Sequence, residues 1–267
     1  MNSLNFEKQN IIPEGAYQEA FTAPLEKMIE SKLSKLLDAI HKVYVQQIMS
    51  GQSKFNDIVN SVGSSRISKI KNFHDFKAQG DPLVRLLSQG YRMAYNLGAK
   101  QTNKEMVLKT KPFIPNEKNI LESEVDGVNT ARMIIKSYQD LTYYAMLSAL
   151  KKGEGFNYFV NETINHPSFK KSAQGKDFSS NKIYLPAIPN ARVIKENVLA
   201  HVIKSFNKAK VDIFNKLGIG EKVIYKTRND EKVSTICRED HDKPMTLDYA
   251  QQKIPQHVNC RCTFVPT

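Results

Sequence analysis

Cys237-Arg238-Glu239-Asp240-His241, then, after a Pro-containing stretch, Pro255-Gln256-His257-Val258-Asn259-Cys260-Arg261-Cys262, is the passage that decides how the chain is read. It holds all three cysteines of the protein and two of its six histidines. Scattered placement would not gather them, so the window has a common physical cause. Thiolate and imidazole are the usual ligands of Zn2+, and a few such groups can fix a small fold with little hydrophobic core. Two readings follow. The window is a metal site, or it is a compact knot whose histidines hydrogen-bond locally and whose cysteines are packed.

Spacing narrows the candidates without choosing between those readings. Cys260-x-Cys262 places two thiols on one side of a tight bend, and Cys237 and His241 share a face if one helical turn lies there. His257 precedes Cys260 by three positions. Cys237, His241, His257, Cys260 and Cys262 therefore compete for about four places around one structural Zn2+, the only cofactor the sequence suggests. No Cys-x-x-Cys pair occurs, so the pattern is less specific than a double dithiol. A catalytic metal or thiol is a third reading, but no nucleophile-and-base arrangement is visible beyond proximity.

Upstream, the first twenty residues are polar and read as an N-terminal arm, 1–20. Thr22 with Pro24 marks a helix start. Leu25, Ile29, Leu33, Leu36, Leu37, Ile40, Tyr44 and Ile48 then form one apolar stripe ending near Ser50-Gly51. A weaker helix around Phe55, Ile58, Val59 and Val62 is expected to stop at Gly63, with a basic stretch from Arg66 to Lys77 after it. Asp81-Pro82 predicts the next helix start. Pro112 and Pro115 enforce a loop. A long helix is expected from about Glu122 to Gly153, completing a helical domain over 21–154.

Periodicity is lost over 155–189, which reads as an irregular basic excursion or linker. Asn190 caps a strong helix that Gly218 closes. Lys222 to Thr227 has strand composition, Arg228-Asn229-Asp230 is a turn, and Lys232 to Ile236 is expected to return antiparallel. The fold class predicted is mainly α with a small C-terminal α+β unit: amphipathic helices, then a β-hairpin and the Cys/His-bearing knot, over 190–267.

The formal net charge is +12, which implies attraction to a polyanion or an acidic protein surface. The surplus lies in 51–100 and 151–200, where Arg66, Lys69, Lys71, Lys170, Lys171 and Lys176 are candidate partner or DNA contacts; solvated faces are the plainer alternative. Few aromatics interleave with them, which argues against stacking on single strands. No stretch is apolar enough to span a bilayer and the N-terminus lacks a signal-like apolar run, so assembly in a cytosol with reduced thiols is expected.

The pattern Thr227-x-x-Asp230-x-x-x-Ser234-x-x-Cys237-Arg238-x-x-His241-x-Lys243, followed by Pro255-x-His257-x-Asn259-Cys260-Arg261-Cys262, resembles the C-terminal signature of the Mu F-like phage head morphogenesis (minor capsid) proteins. The resemblance covers about forty residues, and the two halves together are more specific than either alone. Asp242 stands where that family usually has Gly, so a different turn is expected there, and Val258 replaces a common Pro. The resemblance implies a non-enzymatic virion component of a tailed phage or prophage. Such a protein lies near the portal vertex, is assembled in host cytoplasm, and has the portal protein, the major capsid protein and packaged double-stranded DNA as partners. Arg238 and Arg261 are candidates for carboxylate pairing within the knot or against a partner. Two other readings stay open. His241, Asp242, His257 and Asn259 loosely match His/Asn metal-dependent nucleases, though no acidic cluster for Mg2+ accompanies them. A basic DNA-binding protein is the other, though no recognition-helix pattern is evident.

Overall fold

Residues 191–217 carry apolar side chains on more than one face, and they form the helix around which the rest packs. The computed structural model describes residues 16–105, 113–165, 190–218, 222–227, 233–256, 260 and 262–267. Five helices make most of the larger unit: α1 (Ala16–Met49), α4 (Lys77–Glu105), α5 (Glu117–Lys152), α6 (Phe156–Ile164) and α7 (Ala191–Leu217). Two short ones, α2 (Gln52–Val59) and α3 (Gly63–Lys71), fill the connection between α1 and α4. The C-terminal unit contains β1 (Val223–Lys226), α8 (Thr235–Glu239), β2 (Pro244–Met245), α9 (Leu247–Lys253) and β3 (Thr263–Pro266). The chain is thus mainly α with a small C-terminal α+β unit.

The predicted apolar stripe of α1 faces the larger core: Leu25, Ile29, Leu33, Leu37, Ile40, Tyr44 and Ile48 are buried in it, and Leu36 packs against it half-buried. Asn190 accepts from the amides of Arg192 and Val193, and Gly218 ends α7 at φ +66, as the sequence indicated. Asn116 caps α5 by accepting from Lys118 N, so that helix starts at Glu117 rather than near Glu122. The two Pro-based starts are corrected. α1 already runs at Ala16, with Pro24 inside it, and α4 begins at Lys77, with Pro82 inside it. Asp75 Oδ1 accepts from Lys77 N at 2.9 Å, supplying the start signal six residues before the one Asp81 offers.

Two stretches to which the sequence assigned no helix are helical. The basic stretch after Gly63 forms α3, because buried Ile70 anchors it to the core. The beginning of the presumed excursion forms α6, where Phe159 packs against Phe55 and Phe73 at 5.4 and 5.5 Å between ring centroids. The arm expected over 1–20 is corrected at its end, since 16–20 belong to α1; its first part, 1–15, and the excursion from 166 to 189 lie outside the described residues.

The boundary drawn at 190 does not separate two cores. Ile194, Val198 and Val202 of α7 belong to the larger core, whereas Ile203, Ala209, Ile213 and Phe214 belong to a second one with Tyr225, Leu247 and Phe264. α7 therefore bridges both, and α4 reaches across with Tyr95 and Ala99 in the second core. Close approach of these helices requires glycine at two points. A Cβ on Gly98 would stand 2.1 Å from Phe206 O, and one on Gly127 would stand 2.5 Å from Leu87 O. Gly98→Ala is expected to lower stability by about 1–3 kcal/mol through overpacking. Gly80→Ala, in the same helix with nothing within 4 Å of the new Cβ, should raise it by about 0.5–1 kcal/mol. Urea midpoints of the two variants check the contrast.

His74 ties the α3–α4 connection into the helical body. Its Nδ1 lies 3.0 Å from Gln47 Oε1 and its Nε2 2.6 Å from Thr142 Oγ1. Burial, with a smaller contribution from the Lys54 charge, lowers its pKa from 6.5 to about 3. The unfolded chain therefore binds this proton more readily than the folded one. The stability that neutral His74 contributes is complete above the unfolded value and is lost as pH falls from about 6.5 toward 3. His74→Gln should lose less stability than wild type between about pH 7 and pH 4.5, measured by urea unfolding at each pH.

Candidate metal centre: three buried thiols

β1 is the middle strand of the sheet, in the order β2-β1-β3 with both pairings antiparallel. Val223 pairs with Pro266 and with Met245, and Lys226 pairs with Thr263. Alternation along β1 sends Val223 and Tyr225 into the second core. Its antiparallel return is Pro244–Met245, not the expected 232–236. Ser234 Oγ instead accepts from Cys237 N at 3.3 Å, which turns Thr235 and Ile236 into the first residues of α8. Thr246 caps α9 in the same way by accepting from Tyr249 N.

These elements bring the cysteines together. Cys237 comes from α8, Cys260 from the segment after α9 and Cys262 from the residue before β3. Their Sγ atoms lie within 4.8 Å of one another, and each side chain is 2% exposed or less. Cys237 and Cys260 stand 4.0 Å apart, and all three are thiols rather than disulfide partners. Three sulfurs held by a tetrahedral ion at about 2.3 Å would be separated by about 3.8 Å. An ion thus enters with little movement, and the three buried cysteines could hold one. Without an ion, the Cys237 hydrogen bond and burial push the Cys260 thiol up to about 11, and Cys262 is also raised, first by its hydrogen bonds to Cys237 and Cys260. Proton or metal must balance the cluster, because three bare thiolates in this space would repel one another.

Side chains that the sequence did not single out hold this arrangement. Asn207 of α7 donates from Nδ2 to Cys262 O at 3.3 Å and accepts at Oδ1 from Thr263 Oγ1 at 2.8 Å. Lys210, fully buried, places Nζ 3.5 Å from Phe264 O. Both are polar residues on an otherwise apolar helix face, a signal that was available. Tyr225 Oη lies 3.6 Å from Cys237 Sγ and accepts from Gln256 Nε2 at 2.9 Å. Gln256 Nε2 also donates to Asp240 Oδ2 at 2.9 Å, which pairs with Lys253.

His241 is corrected as a ligand. Its Nδ1 accepts from Thr227 N at 3.0 Å, with Thr227 Oγ1 also at 3.0 Å, and its Nε2 lies 3.3 Å from Asp242 Oδ2. The imidazole fastens the end of β1 to the turn after α8 and stands apart from the thiol group. His257 lies outside the described residues, as do Asn259 and Arg261. Arg238 donates to Val233 O at 3.4 Å. Among the described residues, no other group of three or more Cys, His, Asp or Glu converges, so the nuclease reading gains no acidic site.

The basic candidates divide. Arg66 donates to Val59 O at the end of α2 at 3.0 Å, and Lys69 pairs with Asp57 at 2.8 Å while also donating to Ser61 Oγ. Both act first within the α2–α3 corner. Lys71 is exposed, and Lys170, Lys171 and Lys176 lie outside the described residues.

Asp242 occupies the left-handed region at φ +62. It takes the conformation that glycine adopts most easily, and its amide donates to Tyr225 O at 2.9 Å. Its carboxylate pairs with Lys226, which lowers its pKa. Asp242→Gly should be close to neutral, whereas Asp242→Val should cost about 1–3 kcal/mol. Thermal unfolding of the two variants distinguishes them. No protein-family model, curated protein or solved structure matches this chain.

Proposed function

We propose that this chain is a minor structural protein of a tailed-phage head, associating with the portal vertex and packaged DNA and acting in head morphogenesis or DNA passage. One observation carries the reading. The signature residues Cys237, Cys260 and Cys262, on which the resemblance to Mu F-like head proteins rests, lie in one buried cluster rather than at three unrelated places. The positive charge suits DNA or an acidic portal surface. No described helix is long and apolar enough to cross a membrane. The role is architectural, not enzymatic, and its place is the virion, after assembly in host cytoplasm.

The same proposal assigns the thiol cluster one structural Zn2+. Zinc favours thiolate ligands and has no redox chemistry of its own, so it would cross-link α8 to the start of β3 without introducing reactivity. Folding of the C-terminal unit is then coupled to the ion, because the ligands come from separated stretches.

Co-expression with the portal protein encoded in the same genome tests the function. A complex that survives purification, together with no cleavage of plasmid DNA in Mg2+, Mn2+ or Zn2+, is expected. Cleavage would move the chain to the nuclease reading. Tight duplex binding with a steep salt dependence and no portal complex would move it to that of a basic DNA-binding protein. Elemental analysis of the purified chain should find about one zinc per molecule, lost in Cys237→Ser.

A further inference from the structure

We infer that Tyr225, aimed by Gln256 and Asp240, is the positioning group of the thiol cluster: its hydroxyl donates to the Cys237 sulfur and sets how tightly an ion is held there. The inference rests on the zinc assignment and deepens it. Tyr225 is fully buried in the same core as the three cysteines. Its oxygen accepts one Gln256 N–H at 2.9 Å, which leaves its own hydrogen for Cys237 Sγ at 3.6 Å.

The direction of each hydrogen bond is fixed by its neighbour. Lys253 can only donate, and it donates to Asp240 Oδ2. The Asp240 carboxylate can then only accept, which obliges Gln256 to present its amide nitrogen at 2.9 Å. Turned the other way, Gln256 Oε1 would face the carboxylate as a second acceptor. With Nε2 committed to both Asp240 and Tyr225, the phenol O–H has the sulfur as its partner. The chain Lys253–Asp240–Gln256–Tyr225–Cys237 thus starts at a partly exposed ion pair and ends at a buried ligand atom.

A donor directed at a thiolate spreads its negative charge and holds its orientation, both of which favour three thiolates gathered on one cation. Tyr225 supplies the donor from β1, a strand that carries none of the cysteines. Outer partners of this kind commonly change metal affinity by about 10–100-fold when removed.

The test uses the full chain, stripped of metal under reducing conditions. Zn2+ affinity is measured by competition with a chromophoric chelator, and Co2+ is used as a spectroscopic replacement. Tyr225→Phe removes only the hydroxyl, and Gln256→Leu removes the group that aims it. Each should weaken Zn2+ binding by about 10–100-fold, with unchanged apo-state circular dichroism. In Tyr225→Phe the thiolate-to-Co2+ charge-transfer band should move to longer wavelength, because an undonated sulfur lone pair lies higher in energy. Loss of packing alone would not produce that shift. Should Tyr225→Phe not fold, Gln256→Leu decides by the same affinity readout. Variants that bind Zn2+ as wild type does, with the same Co2+ spectrum, overturn the inference and leave the zinc assignment standing. A wild-type chain that takes up neither ion overturns both.

Discussion

Three thiols in a space that tolerates no net charge of minus three set the terms for the C-terminal half of this protein. Cys237, Cys260 and Cys262 reach one point from α8, from the segment after α9 and from the start of β3. That is only achieved if β1 lies between β2 and β3, if the α8 turn folds back onto Tyr225, and if α7 provides a floor for Cys262 and Thr263 through Asn207. Each of these contacts is local and modest by itself. Together they bring the sulfurs to 4.0 Å between Cys237 and Cys260, close to what a tetrahedral ion requires.

The larger helical unit answers a different constraint, which is close packing. α4 lies against α1, α5 and α7, and the glycines at 98 and 127 allow backbones to meet where a methyl group could not fit. Val198 and Val202 of α7 lie in one core and Ile213 and Phe214 in the other. The two cores share a helix, so neither is expected to unfold in isolation.

Much of this was legible in the chain itself. The period of Leu25 to Ile48, the Asn190 cap and the Gly218 stop are strong local signals, and each is found where its physics puts it. The proline-based starts failed because α1 and α4 continue through Pro24 and Pro82 despite the amide hydrogen bond each proline lacks; Asp75 was the better cap for α4. α3 was missed because its single buried anchor, Ile70, makes no period, and α6 because Phe156, Phe159, Val160 and Thr163 span only two turns beside a long aperiodic stretch. The cysteines were recognised as one site from their clustering alone. His241 was misjudged because helical spacing gives the face of a residue but not its hydrogen-bond partner, and Thr227 lies on another element. Tyr225 and Gln256 had no local mark at all, since their importance arises only when β1 and the segment after α9 meet.

The pairing of Lys226 with Thr263 and of Val223 with Pro266 means that one edge of the middle strand waits for residues about forty positions further along. The helical body depends on distant partners as well, since α4 packs against α7 and α1 packs against both. The strand waits with its edge unsatisfied until residues beyond Cys262 emerge from the ribosome. The β1–β3 pairing therefore closes late, and a variant cut before Thr263 would leave β1 with one open edge, a template for self-association.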